Sequence, residues 1–338
     1  MVKRTPFSLA ALGWAEVASV AIFVLALPLP FLTSSVLVYS IANQILVAVV
    51  AAFSVYLMLR MNLLSFATPA FMALGGYAVA IVASRGMTNL ILLTLISVLL
   101  PAILALPLGA LVLRLRGTYF VLVTFVLTEI LQLLLFVTPK LTGGSNGIAG
   151  IPALTLFNLT FADNQAVWLL ATLFALLAAI ITVAVTYCFR QEFAAIEENE
   201  VLAQSLGLPV WRYKVIGFVV AGGLAGLSGF SLVIMLLTAH PSSFSAMSSM
   251  NYIAYTFVGG EASILGPILG STLLVWAFNL FGGQGQYSQG FYGLLVIAVV
   301  MLGKGGMVGV FGAAVRRWAR ARGKSHVQRT SEREVSKS

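Results

Sequence analysis

Long apolar runs divide this chain, and they exclude most folds that water would permit. A helix needs roughly 20 apolar residues to cross the hydrocarbon of a bilayer. Ten segments read as spans: 14–32, 36–58, 64–84, 90–113, 118–137, 166–189, 215–238, 247–258, 264–281 and 287–303. The eighth is short, and "GGEASILGP" separates it from the ninth, so these two read as broken or partly re-entrant. Hydrophobic residues make up 60% of the chain and charged residues only 9%. A soluble domain is nearer a quarter charged, and water could not solvate so apolar a surface. The expected fold class is an all-α integral membrane protein with about ten transmembrane helices, some broken.

Charge sets the expected orientation. With the N-terminus inside, all but two of the 19 basic residues fall on the cytoplasmic side, and only Arg85 and Lys140 lie outside. The opposite orientation inverts that ratio, so the positive-inside rule puts both termini in the cytoplasm. Met1-Val2-Lys3-Arg4 precedes a run from Trp14 to Leu32 that is too long for a signal-peptide core, and it reads as an uncleaved first span. The resulting organisation is a cytoplasmic N-terminus at 1–13, a membrane-spanning domain at 14–303 and a basic cytoplasmic tail at 304–338. Arg316, Arg317, Arg320, Arg322 and Lys324 with Trp318 suit an anionic lipid surface, so the net charge of +9 requires no nucleic acid. The rest of the tail is polar and reads as disordered.

The longest internal cytoplasmic loop, 190–214, holds four of the chain's ten acids: Glu192, Glu197, Glu198 and Glu200. Ala194, Ala195, Leu202, Ala203 and Leu206 lie among them, so the spacing predicts a short amphipathic helix. Gly207 ends it and Pro209 prevents a simple continuation. A helical loop longer than a connection needs favours docking to a partner.

No catalytic constellation is visible. Cys188 is the one cysteine, and His240 and His326 are the two histidines, which argues against a metal cluster or a histidine-based triad. Gly303-Lys304-Gly305 lacks the upstream glycine and the following Ser/Thr of a phosphate-binding loop. The glycines say more. Ser65, Pro69, Gly75, Gly76 and Tyr77 interrupt one span, and Gly259, Gly260, Gly266, Pro267 and Gly270 interrupt another. In each region a serine stands four residues before a proline, Ser65 with Pro69 and Ser263 with Pro267, which hints at an internal pseudo-repeat. Two readings stay open for these glycines: they line a translocation pathway, or they let helices cross closely. Glu129 lies inside a span, where a carboxylate must face protein or water, in a structural or a transport role. The outer loop "KLTGGSNGIAGIP", with Gly143, Gly144, Ser145 and Asn146, suits either a linker or a surface that receives another protein.

"LRLRGTYFVLVTFVLTEIL" followed by "LTGGSNGIAGIP" resembles the LivM-type permease subunits of bacterial branched-chain amino acid ABC importers. So do "EENEVLAQSLGLPVWRYK", "AGGLAGLSG", "HPSSF" and "GGEASILGPILGS", in family order from about residue 36 to residue 303. The resemblance implies a coupling helix that sits in a cleft of an ATP-binding subunit. Glu200, Ala203 and Gly207 match the family's E-x-x-A-x-x-x-G pattern, with Glu197 and Glu198 just before it. It further implies a second permease subunit in a heterodimer, two ATP-binding subunits that hold ATP and Mg, and an extracytoplasmic substrate-binding protein. No cofactor is then bound by this chain, which is not itself an enzyme, and the location is the bacterial inner membrane. Ser65, Gly75, Gly76, Tyr77, Glu129, Gly259, Gly260, Gly266 and Pro267 are the candidate pathway residues. Ala67 and Thr68 replace a frequent G-H or G-Q pair, and Gly259-Gly260-Glu261-Ala262-Ser263 departs from G-G-x-G-S, so branched-chain amino acids are a default substrate beside urea and short amides. An ion-coupled secondary transporter is the competing class.

Overall fold

The computed structural model describes residues 14–28, 35–156, 159–161 and 163–281, with a few positions beyond them at 290, 293–294, 297 and 306–308. The expected N-terminal segment, most of the tenth span and almost all of the basic tail lie outside the described residues.

Among the described residues, five helices are long and apolar enough to cross a membrane: α2 (Val36–Leu59), α4 (Leu90–Val112), α5 (Thr118–Val137), α7 (Asn164–Cys188) and α10 (Val210–Leu236). Shorter apolar helices are α1 (Trp14–Ala26), α3 (Thr68–Ser84) and α12 (Leu265–Phe281), with α11 (Ala246–Gly259) before the last. One turn, α6 (Pro139–Thr142), follows α5, and two polar helices, α8 (Arg190–Glu198) and α9 (Glu200–Ser205), join α7 to α10. The fold is all-α apart from two short antiparallel ribbons at one end. In these, β1 (Ile148–Ala149) pairs with β4 (Thr238–Ala239), and β2 (Leu154–Leu156) with β3 (Leu159–Phe161).

Helix α10 is the axis of the bundle. It packs against α2, α3, α4 and α7, and 72% of its most apolar stretch is buried. Its glycines make this possible. A Cβ at Gly75 of α3 would overlap the backbone of Gly226, and one at Gly229 would overlap the carbonyl of Met72. A Cβ at Gly226 would in turn strike the carbonyl of Ser97, the group that Pro101 leaves without its helical donor. Small residues thus bring three backbones together where lipid gives no hydrophobic drive for association. At the other extreme, only 17% of the corresponding stretch of α5 is buried, which makes it a peripheral helix.

Several boundaries differ from those the apolar runs predict. Helix α1 stops at Ala26, ahead of a turn at Leu27–Pro28. The third span is helical only from Thr68, because Ser65–Ala67 is irregular. Helix α10 starts at Val210, immediately after Pro209, so Arg212 and Lys214 belong to it and not to the loop. The predicted single helix of the 190–214 loop is two, broken at Asn199, whose side chain caps α9 by accepting from the Leu202 N–H at 3.0 Å.

Candidate functional site

One end of the bundle gathers Arg60, Arg116, Arg190, Arg212 and Lys214 around α8 and α9, while Arg85 and Lys140 lie at the other. Phe193, Ile196, Ala203 and Val210 are buried and seat the helix pair on the bundle. Ion pairs fasten it. Arg60 at the end of α2 meets Glu197 at 2.7 Å, and Lys214 of α10 meets Glu200 at 2.8 Å. Arg116, from the α4–α5 connection, stands 4.0 Å from Glu200 and donates to Gln204 at 3.4 Å. Glu192 accepts from the Tyr213 hydroxyl at 3.4 Å. The side chain of Lys214 is only 6% exposed, and Glu200 supplies the carboxylate that pairs with it there.

This corrects the expected polarity of the loop. Glu197 and Glu200 hold cations of their own chain and do not simply project outward, and Ala203 is buried. Among the polar groups on the surface the pair also exposes large apolar side chains, Val201, Leu202 and Leu206, the last 79% exposed, and Trp211 at the start of α10 is exposed too. Glu198 and Gly207 are exposed as well, and Gly207 ends α9 at φ +87°. A cleft of about 550 Å³ opens nearby, with Asn62, Arg116, Glu200, Lys214 and Glu261 on its wall.

The proposed pathway residues fall into separate places. Ser65, Gly75, Gly76, Tyr77, Gly259, Gly260, Gly266 and Pro267 are all buried within the chain. Gly75 and Gly76 face α10, where Gly229 and Val233 close around Gly76 together with Phe244 from the turn at Pro241–Phe244. Gly259, Gly260 and Gly266 lie backbone to backbone where α11 meets α12. The small size of these glycines is accounted for by close helix crossing. The Tyr77 hydroxyl is buried with no hydrogen-bond partner among the described residues, and its ring lies 5.9 Å from that of Phe244. The two serines do behave alike: Ser65 accepts from the Ala67 N–H and Ser263 from the Leu265 N–H, each opening a helix with proline in its first turn. Glu129, by contrast, is exposed on the outside of α5.

The glycine loop at 143–147 is built and not a linker. Gly143 and Gly147 adopt positive φ, and a Cβ at either would overlap backbone, at Gly147 and Ala239 respectively. Thr142 donates to the Leu135 carbonyl at 2.6 Å, and His240 contacts the Ser145 carbonyl at 2.8 Å. Ser145 and Asn146 remain exposed at its tip, whereas Gly144 is buried.

One arrangement lies beyond what the sequence reading assigned. The Phe66 peptide, in the irregular stretch before α3, is satisfied on both sides. Its N–H donates to Thr124 at 3.1 Å, and its carbonyl accepts from Thr128 at 2.9 Å and from Ser249 at 2.8 Å. Thr124 and Thr128 stand one turn apart near the middle of α5, so this non-helical backbone sits at membrane depth and is stabilised there by hydroxyls. The pair of threonines in an otherwise apolar helix was the available signal. Among the described residues there is no cluster of three or more His, Cys, Asp or Glu that could hold a metal.

Several span-length apolar helices in one bundle define an integral, multi-pass membrane protein. Residues 37–303 match the family model for the permease component of branched-chain amino acid transport systems, and the chain belongs to that family. It is 29% identical over 218 residues to the high-affinity branched-chain amino acid transport system permease protein LivM of Salmonella typhimurium strain LT2, covering 57% of this chain and 51% of that one. To the protein of the same name from Escherichia coli strain K12 it is 27% identical over 307 residues, covering 83% of this chain and 72% of that one. The chain thus matches about half the length of the first relative. No solved structure matches it.

Proposed function

We propose that this chain is a transmembrane permease subunit of an ABC importer. It moves a small polar substrate, by default a branched-chain amino acid, inward across the bacterial inner membrane. ATP and Mg are held by partner ATP-binding subunits, and a substrate-binding protein delivers cargo to the outer face around Ser145 and Asn146. Both termini and the α8–α9 pair are cytoplasmic in this reading, which uses ten spans, and a second permease subunit completes the membrane part as a heterodimer.

The observation that carries it is the construction of α8–α9. The pair is tied inward by Glu197 and Glu200, while Val201, Leu202 and Leu206 face out into water. An apolar patch on a polar end of a membrane protein is costly unless a soluble partner covers it. Such a patch, fastened by charge to α2 and α10, is suited to passing a partner's motion to the spans.

The test is uptake by proteoliposomes holding this chain, the second permease and the ATP-binding subunits, with binding protein outside and ATP inside. Leucine uptake should require ATP, and Leu202→Asp with Leu206→Asp should abolish both uptake and retention of the ATP-binding subunits at normal expression. Uptake of urea or short amides in place of leucine would change the substrate alone. Uptake driven by an ion gradient without the ATP-binding subunits would overturn the importer reading.

A further inference from the structure

The outer surfaces of α4 and α5 differ in chemistry. Every exposed side chain of α4 is apolar, Leu95, Leu99 and Ile103 among them, which suits contact with lipid. The exposed residues of α5 are apolar as well, apart from Thr118 and Tyr119 in its first turn and Glu129 beyond its middle.

Glu129 stands on this face with no ion pair or hydrogen bond to any described residue. It is the twelfth of the 20 residues of α5, about 12 Å or more from either end at 1.5 Å per residue, too far for a short side chain to reach the headgroups. Lipid cannot solvate a carboxylate there, so it meets protein or a water-filled path, and on the outside of this chain either one needs a second protein surface. That surface lies within the bilayer, which excludes the soluble ATP-binding and substrate-binding subunits. A second copy of this chain fits poorly too. A two-fold axis along the membrane normal, with α5 on α5, would set Glu129 against Glu129 at the same depth.

We propose that the outer face of α5 is the contact surface for a second permease chain of different sequence, which presents a hydrogen-bond donor to Glu129. This rests on the importer reading and adds the location of the membrane interface and the residue at its centre.

The experiment uses the complete complex in membranes. A photoreactive side chain is placed at Leu122 or Leu133 on α5, and at Leu99 or Ile103 on α4. Illumination should join this chain to the second permease chain from the α5 positions, and the α4 positions should give only lipid adducts. Adducts with the second permease from α4 and not from α5 would overturn the proposal, as would adducts joining two copies of this chain. Glu129→Leu separates the carboxylate's role from folding, because it makes the face more apolar and the lone chain should insert as well as before. It should cut the second permease recovered on purification by about tenfold, as losing a hydrogen bond to a charged group does. Unchanged recovery would remove Glu129 from the interface. If the unaltered chain recovers no second permease at all, the importer reading falls and the proposal with it.

Discussion

Lys214 and Glu200 show how little tolerance the basic end has for a single change. Lys214 is buried, and Glu200 is one-fifth exposed between it and Arg116. Breaking a fully buried pair costs about 3–5 kcal/mol, and the partial exposure of Glu200 puts this one at or below the low end. Glu200→Gln keeps a hydrogen-bonding group and should lower the melting temperature in detergent modestly. Glu200→Lys sets two cations beside a buried charge and should largely abolish folded protein. The exchange Glu200→Lys with Lys214→Glu should recover most of the loss, and no recovery would mean that the pair contributes little. The spacing of glutamates in the 190–214 loop made a polar helix legible, but not the direction of its carboxylates. The pairing of Glu200 with Lys214 spans a helix end, the Gly207 reversal and Pro209, and no periodicity connects the two. Leu202, Ala203 and Leu206 read alike as apolar positions of one amphipathic helix, yet in α9 Ala203 is buried while Leu202 and Leu206 are exposed.

At the scale of helices, the apolar runs located α2, α4, α5 and α7 closely, because lipid selects length and hydropathy together. They could not say which glycines line a path and which close a crossing. That depends on what stands opposite, and Gly75 stands opposite Gly226 while Gly229 stands opposite Met72. Gly226→Leu must therefore force α10 away from α4, where Ser97 and Pro101 stand opposite it. We expect it to be nearly absent from membranes at any growth temperature. Gly86→Ala, at an open position with φ +90°, should be inserted normally with only the local cost of a strained backbone, about 1 kcal/mol. Quantitative immunoblots of membrane fractions compare the two, and a Gly226→Leu protein present at wild-type level would show that the crossing can open. The irregular stretch at Phe66 was hidden for the same reason: its partners Thr124, Thr128 and Ser249 are 58, 62 and 183 residues away in the chain.

For the whole molecule, the distribution of charge between its two ends is the main statement about orientation. Cys188 gives a direct reading, since it is the chain's one cysteine and is exposed at the end of α7 beside the basic surface. A membrane-impermeant maleimide should label it in inside-out vesicles and not in intact spheroplasts. With Cys188→Ala in place, Ser145→Cys should show the reverse pattern. Labelling of Cys188 from outside the cell would invert the proposed topology. The two ends also differ in what holds them. The seat of α8–α9 relies on ion pairs open in part to water, whose attraction weakens as mobile ions crowd in. The break before α3 is closed by neutral hydroxyls deep in the bundle, which ions do not reach. Rising ionic strength therefore loosens the ties of α8–α9 to α2 and α10 while the bonds around Phe66 keep their strength, so the proposed docking surface slackens against its apolar seat before the bundle unfolds.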